Sequence, residues 1–451
     1  MESESGRKET SMTASHRILH AIRARVTLAA ALLAAASATN PAAAEEPPRC
    51  AIVGRANVGQ CAAAASLAVK AEQLGLKSFE GRRRAAGIFL PSNPTVSVTG
   101  GQSIEPTVRA SDREPLWSAT LYQELEIAGQ RGKRLAVVSA EERTQAARLS
   151  SARRAAAADA LLLYFDALAA RDQAKLAERL ASLSTALTTV AEARAQAGLA
   201  ADVEAQLARS VAVRLIEARI AAQARVASTI AALATTMGHD PTDGAVQIEG
   251  ELVALDVAPQ HGAAITDAAI GRRPEVLAAF AEADAQKRRI DLFERLRVPN
   301  PTISVFAKND WINERLIGVG LSIPIPVPSP IGRTYAGEIA EASALAARAD
   351  TDVDRMRRAV RLEIVTAQQA LTQRQQRADL FQPEQVRQSE ETLRNIADEI
   401  RARRLPIRDA LLTQQSLIDF LFAHVEARRQ LCVASVELAR ALGMPLENGP
   451  P

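Results

Sequence analysis

Several short stretches of the chain alternate apolar and polar residues, which is the period of a half-buried β-strand. In the clearest of them, residues 317–323, Ile, Val or Leu occupies every second position and Gly or Ser stands between. Weaker versions of the same pattern occur at residues 95–99, 116–127 and 303–305. The pattern predicts four strands paired in two β-hairpins, at 94–127 and 301–325.

Each predicted hairpin is followed by a long stretch with the periodicity of a helix. Residues 133–196 contain neither Pro nor Gly, and residues 338–404 are interrupted only by Pro383. At 1.5 Å per residue, about 65 helical residues make a rod on the order of 100 Å long. Shorter return helices then complete two long helical hairpins, at 133–237 and 338–443. Because the apolar positions are mostly Ala and Leu, we expect many closely packed helices and not an isolated rod.

Two breaks separate the long helices from the return helices. They are Gly198-Leu199-Ala-Ala-Asp202 and Arg404-Leu405-Pro-Ile-Arg-Asp409. Asp is a preferred N-cap residue, so Asp202 and Asp409 are predicted to cap the return helices.

The two halves of the chain follow one plan. The sequence Pro94-Thr-Val-Ser-Val returns as Pro301-Thr-Ile-Ser-Val about 207 residues later, and residues 232–238 are echoed by 436–443 at a similar offset. A period this long indicates a duplicated module of domain size. The predicted divisions are a signal peptide (1–44), an N-terminal periplasmic segment (45–88), a first repeat (89–265) and a second repeat (266–451).

The first 44 residues have the three parts of a secretory signal peptide. Basic residues lead into the apolar run 26–36, and small residues end in Ala42-Ala-Ala44. Cleavage is predicted after Ala44, with Met12 as an alternative start. The other interpretation, a membrane anchor, requires a longer apolar run than this one.

Composition and charge narrow the class of protein. The 451 residues are 47% hydrophobic but only 3% aromatic, and the formal net charge is +3. Interspersed Arg and Glu are typical of a solvated helical surface and give no basis for nucleic-acid binding. No stretch of about 18 apolar residues follows residue 45, so no transmembrane helix is expected and a membrane crossing requires a closed β-barrel. Four strands are too few to close one, since about eight are needed, which predicts an oligomer that shares its strands.

The sequence carries no catalytic or metal-binding motif. The segment Gly129–Lys133 lacks the spacing of a phosphate loop and is interpreted as a strand-to-helix turn. The histidines beyond the signal region lack metal-ligand spacing: His239, His261 and His424. We therefore predict no catalytic residue, no metal site and no cofactor, and we expect that the protein is not an enzyme. Cys50 and Cys61 can pair in an oxidising compartment, but the sequence leaves this open.

Three aromatic residues lie near predicted strand ends, where a membrane protein carries its aromatic belt. Ordinary core packing explains them equally well. They are Trp117, Tyr122 and Trp311.

Taken in order from about Phe89 to Leu446, these features resemble the TolC-like family of outer-membrane factors, the outer-membrane efflux proteins. The segments that carry the resemblance are 93–98, 123–134, 273–279, 299–305 and 321–326. Segment 123–134 is most similar to members that serve heavy-metal pumps of the resistance–nodulation–division (RND) class. The chain departs from the family before residue 89, where the usual Leu-Thr-Leu-x-x-Ala opening is missing.

The resemblance implies an α+β membrane protein that assembles as a homotrimer. Its subunits would share a 12-stranded transmembrane β-barrel in outer-membrane lipid and a long α-helical coiled-coil barrel in the periplasm. The implied function is a passive channel of a tripartite efflux system. Heavy-metal cations are one candidate cargo for this channel. The implied partners are a periplasmic adaptor (membrane fusion) protein and an inner-membrane RND-type pump. The alternatives are the outer-membrane component of type I protein secretion, or a soluble periplasmic coiled-coil scaffold.

The resemblance also implies functional residues at the two helical turns. The residues implied to contact the adaptor are Gly198, Leu199, Ala200, Arg404 and Leu405. Asp409 matches a carboxylate that narrows the closed tunnel in some relatives, and Asp202 is the second gate candidate. Leu412 stands where relatives carry another Asp, so a hydrophobic constriction is an alternative. Plain helix caps beside a solvated turn would explain both carboxylates equally well.

Overall fold

The computed structural model describes residues 50–102, 115–240, 246–257, 263–309, 314–327, 331–402 and 404–446. The predicted signal peptide and Trp311 lie outside the described residues. The helices are α1 (Val58–Ala65), α2 (Leu67–Ala86), α3 (Gln130–Gln196), α4 (Asp202–Thr236), α5 (Ala263–Arg272), α6 (Pro274–Leu296), α7 (Ala336–Asp379), α8 (Pro383–Arg401) and α9 (Ile407–Ala441). The strands are β1 (Ile52–Val53), β2 (Thr95–Gln102), β3 (Pro115–Glu124), β4 (Gln247–Ile248), β5 (Thr302–Asn309) and β6 (Arg315–Ser322).

The strands form two sheets within the described residues. Strands β2, β3, β5 and β6 form an antiparallel sheet in that order, so the two hairpins lie side by side through β3 and β5. Strands β1 and β4 form a short parallel pair. All four strands of the larger sheet fall within the two hairpins that the alternating pattern predicts.

Helix α3 is the central element of the fold. It has 67 residues, which at 1.5 Å each corresponds to about 100 Å. It contacts α2 and α6 along its first turns, and α4 and α9 further along. Ala is the commonest residue at its buried positions, and Leu161, Tyr164 and Phe165 are buried in the middle of the helix. Thin Ala side chains let the neighbouring helices approach α3 closely, so packing and helix propensity both favour this rod.

The second half contains a broken equivalent of α3. Helix α7 ends at Asp379 and α8 begins at Pro383, because proline has no N–H to donate and is tolerated only in the first turn of a helix. Phe381, in the break, packs its ring against Phe420 and His424 of α9, with centroids 5.3 and 5.5 Å apart. The break is therefore filled by an aromatic cluster.

Left-handed backbone marks the start of both long helices. Gly129, the residue before α3, has φ 74°, and Tyr335, the residue before α7, has φ 55°. Gly198, with φ 69°, ends α3 and turns the chain toward α4. Glycine tolerates this conformation, whereas a tyrosine in it is strained.

Two predictions about the return helices are wrong in detail. The N-cap of α4 is Ala201, and Asp202 is the first helical residue. The N-cap of α9 is Pro406, so Asp409 is the third helical residue. Neither helix has a side-chain cap hydrogen bond. The extended backbone that a cap requires is supplied by Ala201 and Pro406, whose ψ angles are 145° and 144°.

The main core lies around the middle of α3. Tyr164, Phe165 and Leu168 are fully buried there. The Tyr164 hydroxyl donates to the carbonyl oxygen of Glu249 at 2.6 Å, which ties the short parallel sheet to the helices. Cys50 and Cys61 form a disulfide, which joins the residue two positions before β1 to helix α1 beside this core. The pairing that the sequence leaves open is thus present in the structure.

Candidate functional site

The four-stranded sheet has one apolar and one polar face. The register aligns Val96 with Leu121, Leu121 with Val305, and Val305 with Val319, so these side chains lie on the same face. The opposite face carries Ser and Thr at corresponding positions, among them Ser97, Thr99, Ser118, Thr120 and Ser304. The alternation in the sequence thus becomes a continuous apolar surface across all four strands.

The apolar face is exposed in the single chain. Relative exposures reach 72% for Val98, 80% for Ile317 and 78% for Val319. Removing this much apolar surface from water would be strongly favourable. Its exposure in the single chain therefore indicates a contact surface with lipid or protein. Trp117 lies on this face near the start of β3. Tyr122 aligns with Thr95 and Ser304 on the polar face, which excludes it from an aromatic belt on the apolar face.

The segment 123–134 forms the junction between this sheet and the helices. Gln130, which is fully buried, donates to Asn300 Oδ1 at 2.8 Å, and Asn300 donates to Glu124 Oε1 at 2.8 Å. Arg134 pairs with Glu126 and also donates to two carbonyl oxygens at the end of α2. These polar residues fasten both hairpins to the rods, so contacts within the chain account for them.

The helical turns lie together at the opposite end of the rods. Arg194, near the end of α3, donates to the carbonyl oxygen of Ile400 near the end of α8, at 3.1 Å. Arg209 of α4 pairs with Glu192 of α3, and Arg214 of α4 bonds Gln415 of α9. An apolar cluster of α3, α4, α8 and α9 residues fills the space between them. The structure therefore brings the two predicted turns into one tip.

The residues of the tip differ in accessibility. Leu199 is 52% exposed, and an added Cβ at Gly198 would meet nothing within 4 Å. Ala200 and Leu405, in contrast, are partly buried against the apolar cluster. Arg404 pairs with Glu399 at 3.0 Å on the surface. Leu199 is thus the accessible apolar residue of this set, whereas Leu405 also supports the packing of the tip.

Both gate candidates are exposed and lie in the first turn of a helix, Asp202 of α4 and Asp409 of α9. A carboxylate is favoured there by the partial positive charge of the helix N-terminus. Leu412, one turn beyond Asp409, is 61% exposed. The structure places these side chains at the tip end of the rods, and helix electrostatics alone suffices to explain the carboxylates.

The part of the chain that the structure covers holds no metal-binding cluster and no membrane-spanning helix. Among those residues, His, Cys, Asp and Glu nowhere gather in threes around a metal-sized space. Within the same ranges, no helix is apolar over a length that would cross a membrane. Burial raises the pKa of the Cys432 thiol to about 12, so it stays protonated and is a poor nucleophile.

Comparisons with known proteins agree with this geometry at the level of the fold. No protein-family model and no curated protein matches the sequence. Among solved structures, a membrane protein from Pseudomonas aeruginosa superimposes with a TM-score of 0.71 at 18% identity, covering 86% of this chain and 91% of that one. The Campylobacter jejuni CmeC outer membrane channel gives 0.71 at 13% identity, with 87% and 85% covered. CusC, whose transmembrane channel formation has been described, gives 0.69 at 13% identity, with 86% and 91% covered.

The chain therefore has the fold of TolC-like outer-membrane channels. The likeness extends over most of its length.

Proposed function

We propose that this chain is one subunit of a passive trimeric outer-membrane channel in a tripartite efflux system. It would conduct substrate from an inner-membrane pump and a periplasmic adaptor to the exterior. The observation that carries the proposal is the two-faced sheet, apolar on one side and Ser- and Thr-rich on the other, at the end of a rod about 100 Å long. In a membrane barrel the apolar face meets lipid and the polar face lines the pore.

The sheet supports a shared barrel because it is incomplete in one chain. Among the described strands, its outer strands β2 and β6 each have a paired neighbour on one side only. Unpaired strand edges are unfavourable in lipid, which offers no hydrogen bonds. Three copies would join β6 of one subunit to β2 of the next and give 12 strands, enough for closure.

The helices support the same assembly. Apolar side chains are exposed along α4 and α7, including Val203, Leu207, Val213, Ile220, Leu362 and Val365. Neighbouring subunits would cover these stripes and close the rods into a tube. The proposed cargo class includes heavy-metal cations, because segment 123–134 resembles family members that serve heavy-metal pumps. Type I protein secretion would use the same conduit and is the alternative.

Planar bilayers test the channel. We expect the purified protein to insert and give stepwise conductance, and to migrate on gels as a trimer that heating dissociates. Recovery in the soluble fraction after carbonate extraction, without conductance, would identify a periplasmic scaffold instead.

Adaptor docking at the tip is tested by Leu199→Asp. We expect weaker crosslinking to the adaptor while the trimer persists, because Leu199 is exposed and its loss leaves no cavity. Leu74→Asp is the matched control, since Leu74 is 60% exposed on α2, which packs at the sheet end of α3. Equal crosslinking by both variants and the wild type would remove the tip from the docking surface.

The gate is tested by Asp409→Asn in the same bilayers. Three carboxylates around one axis would attract cations, so their removal should reduce block by divalent cations or raise the conductance. Asp354→Asn, an exposed change on α7, serves as the control. A conductance and block equal to the control would exclude Asp409 as the gate.

A further inference from the structure

An arginine-lined depression lies at the junction between the sheet and the helices. It has a volume of about 440 Å³ and is lined by Glu80, Arg83, Arg84, Gly87, Arg131 and Leu135. Three of these residues are arginines with exposed side chains, and one is a carboxylate. We call Arg83, Arg84 and Arg131 the arginine patch.

The hydrogen bonds and ion pairs within the chain do not use all the donors of the arginine patch, so guanidinium groups remain available to bind an anion. Arg131 donates through Nε to the carbonyl oxygen of Gly87 at 2.8 Å, which fixes it beside the end of α2. Arg83 pairs with Glu142 of α3. Arg84 has no ion-pair partner among the described residues. The patch therefore has cationic groups in excess of the carboxylates around it.

Exposed apolar residues adjoin the arginine patch. Ile88 and Phe89, directly after α2, are 56% and 73% exposed, and Ile127, directly before α3, is 66% exposed. In the second half, the connection from β6 to α7 exposes Ile325 (85%) and Ile331 (88%). Apolar side chains flanked by arginines are typical of the boundary between acyl chains and headgroups.

The connecting segments of a neighbouring copy offer the patch little negative charge. The segments that connect sheet and helices are 87–94, 125–129, 297–301 and 323–335, and their one carboxylate is Glu126. The Glu126 side chain is 7% exposed and pairs with Arg134 of its own chain. These connecting segments of a neighbouring copy therefore supply no exposed carboxylate to the arginine patch.

We infer that the arginine patch binds the phosphate headgroups of phospholipids in the periplasmic leaflet, while Ile88, Phe89 and Ile127 contact the acyl region. The inference rests on the proposed membrane channel. Charge complementarity and the adjacent apolar residues favour lipid over a soluble anion. The contact would fix the depth at which the sheet sits in the membrane.

The test uses the full-length protein in detergent, titrated with phosphatidylglycerol and followed by thermal unfolding. For Arg84→Gln/Arg131→Gln we expect the half-saturating lipid concentration to rise roughly fivefold or more. The matched control is Arg394→Gln/Arg408→Gln, two arginines of α8 and α9, for which no rise is expected. Inorganic phosphate and diacylglycerol, each alone, should not reproduce the stabilisation.

Each other result overturns the inference. Equal half-saturation of the patch variant and the control excludes the patch, and stabilisation by inorganic phosphate alone identifies a soluble anion site. Loss of the trimer in the patch variant, with or without lipid, assigns this surface to a second copy. Conductance measured on the same samples separates the two proposals: pores with an unchanged lipid response refute only the patch, whereas absent pores refute the channel.

Discussion

Arg273 offers the sharpest test of how the rods are held together. Its side chain is 7% exposed and makes bonds to three elements. Its Nη1 donates to the carbonyl oxygens of Arg440 and Ala441, at 2.8 and 3.0 Å, at the end of α9. Its Nε and Nη2 bond Glu275 of α6 and Glu363 of α7, both at 3.0 Å. One guanidinium therefore joins the start of α6, the middle of α7 and the end of α9.

The change Arg273→Met keeps the length of the side chain and removes its donors. Breaking a buried ion pair from one side costs about 3–5 kcal/mol. Glu275 and Glu363 are 31% and 33% exposed, so water can partly solvate them after the change. We expect the lower end, about 3 kcal/mol of unfolding free energy.

Guanidinium chloride unfolding in detergent, followed by circular dichroism, measures the loss. Arg272→Met is the matched control, because Arg272 is exposed and its replacement should change stability by less than about 0.5 kcal/mol. A loss below about 1 kcal/mol for Arg273→Met would refute the reasoning. It would mean that the bonds of Arg273 stabilise the fold little more than hydrogen bonds to water would.

The pH dependence gives a second readout of the same cluster. Burial alone would raise the pKa of Glu275, but its backbone N–H, the Arg273 guanidinium and the Ser151 hydroxyl together hold that pKa below its usual range. The carboxylate therefore stabilises the fold above its unfolded pKa, and this contribution is lost as the pH falls through the folded value. In Arg273→Met the loss of stability in acid should shrink.

Two further predictions concern single backbone and side-chain features. Tyr335 has a left-handed backbone, so Tyr335→Gly should be about 1 kcal/mol more stable than Tyr335→Ala, the reverse of the order inside a helix; equal thermal midpoints would contradict the strain. Burial, and then Arg428, lower the pKa of His424 despite Glu390. The wild type should therefore lose stability below about pH 6.5, where the unfolded chain binds the proton, and His424→Phe should lose less. Unfolding curves at pH 5 and 8 compare the wild type with His424→Phe. An identical pH response of the two proteins would exclude His424 as the cause.

The sequence predicts the strands and the rods well because both have strong periodicity. The alternation at 317–323 becomes β6 and the residues that follow it, and the stretch without Pro or Gly becomes α3. The breaks at Gly198 and Pro383 also fall where the backbone requires them. Local chemistry decides these features, so one sequence is sufficient to find them.

Helices α2 and α6 are not predicted from the hydrophobic pattern. Helix α2 contains two glycines and three consecutive arginines, Arg82 to Arg84, which obscure any apolar stripe. Its position depends on contacts with α3, where Glu141 pairs with both Arg82 of α2 and Arg289 of α6. Such ion pairs join residues far apart in the chain and leave no periodic signal. The Arg273-Pro274 pair, with proline in the first turn of α6, is the one local sign of a helix start there.

The two halves show that the fold constrains backbone geometry more strictly than residue type. Gly129 and Tyr335 precede the two long helices, and both adopt a left-handed backbone. Glycine meets this requirement without a side chain. Tyr335 meets it with contacts that offset the strain: its ring stacks on Phe293 at 6.4 Å, and the Arg333 guanidinium lies 4.6 Å from its centroid. The same turn is thus made by conformational freedom in one half and by side-chain packing in the other, which is why aligning the halves by sequence does not reveal it.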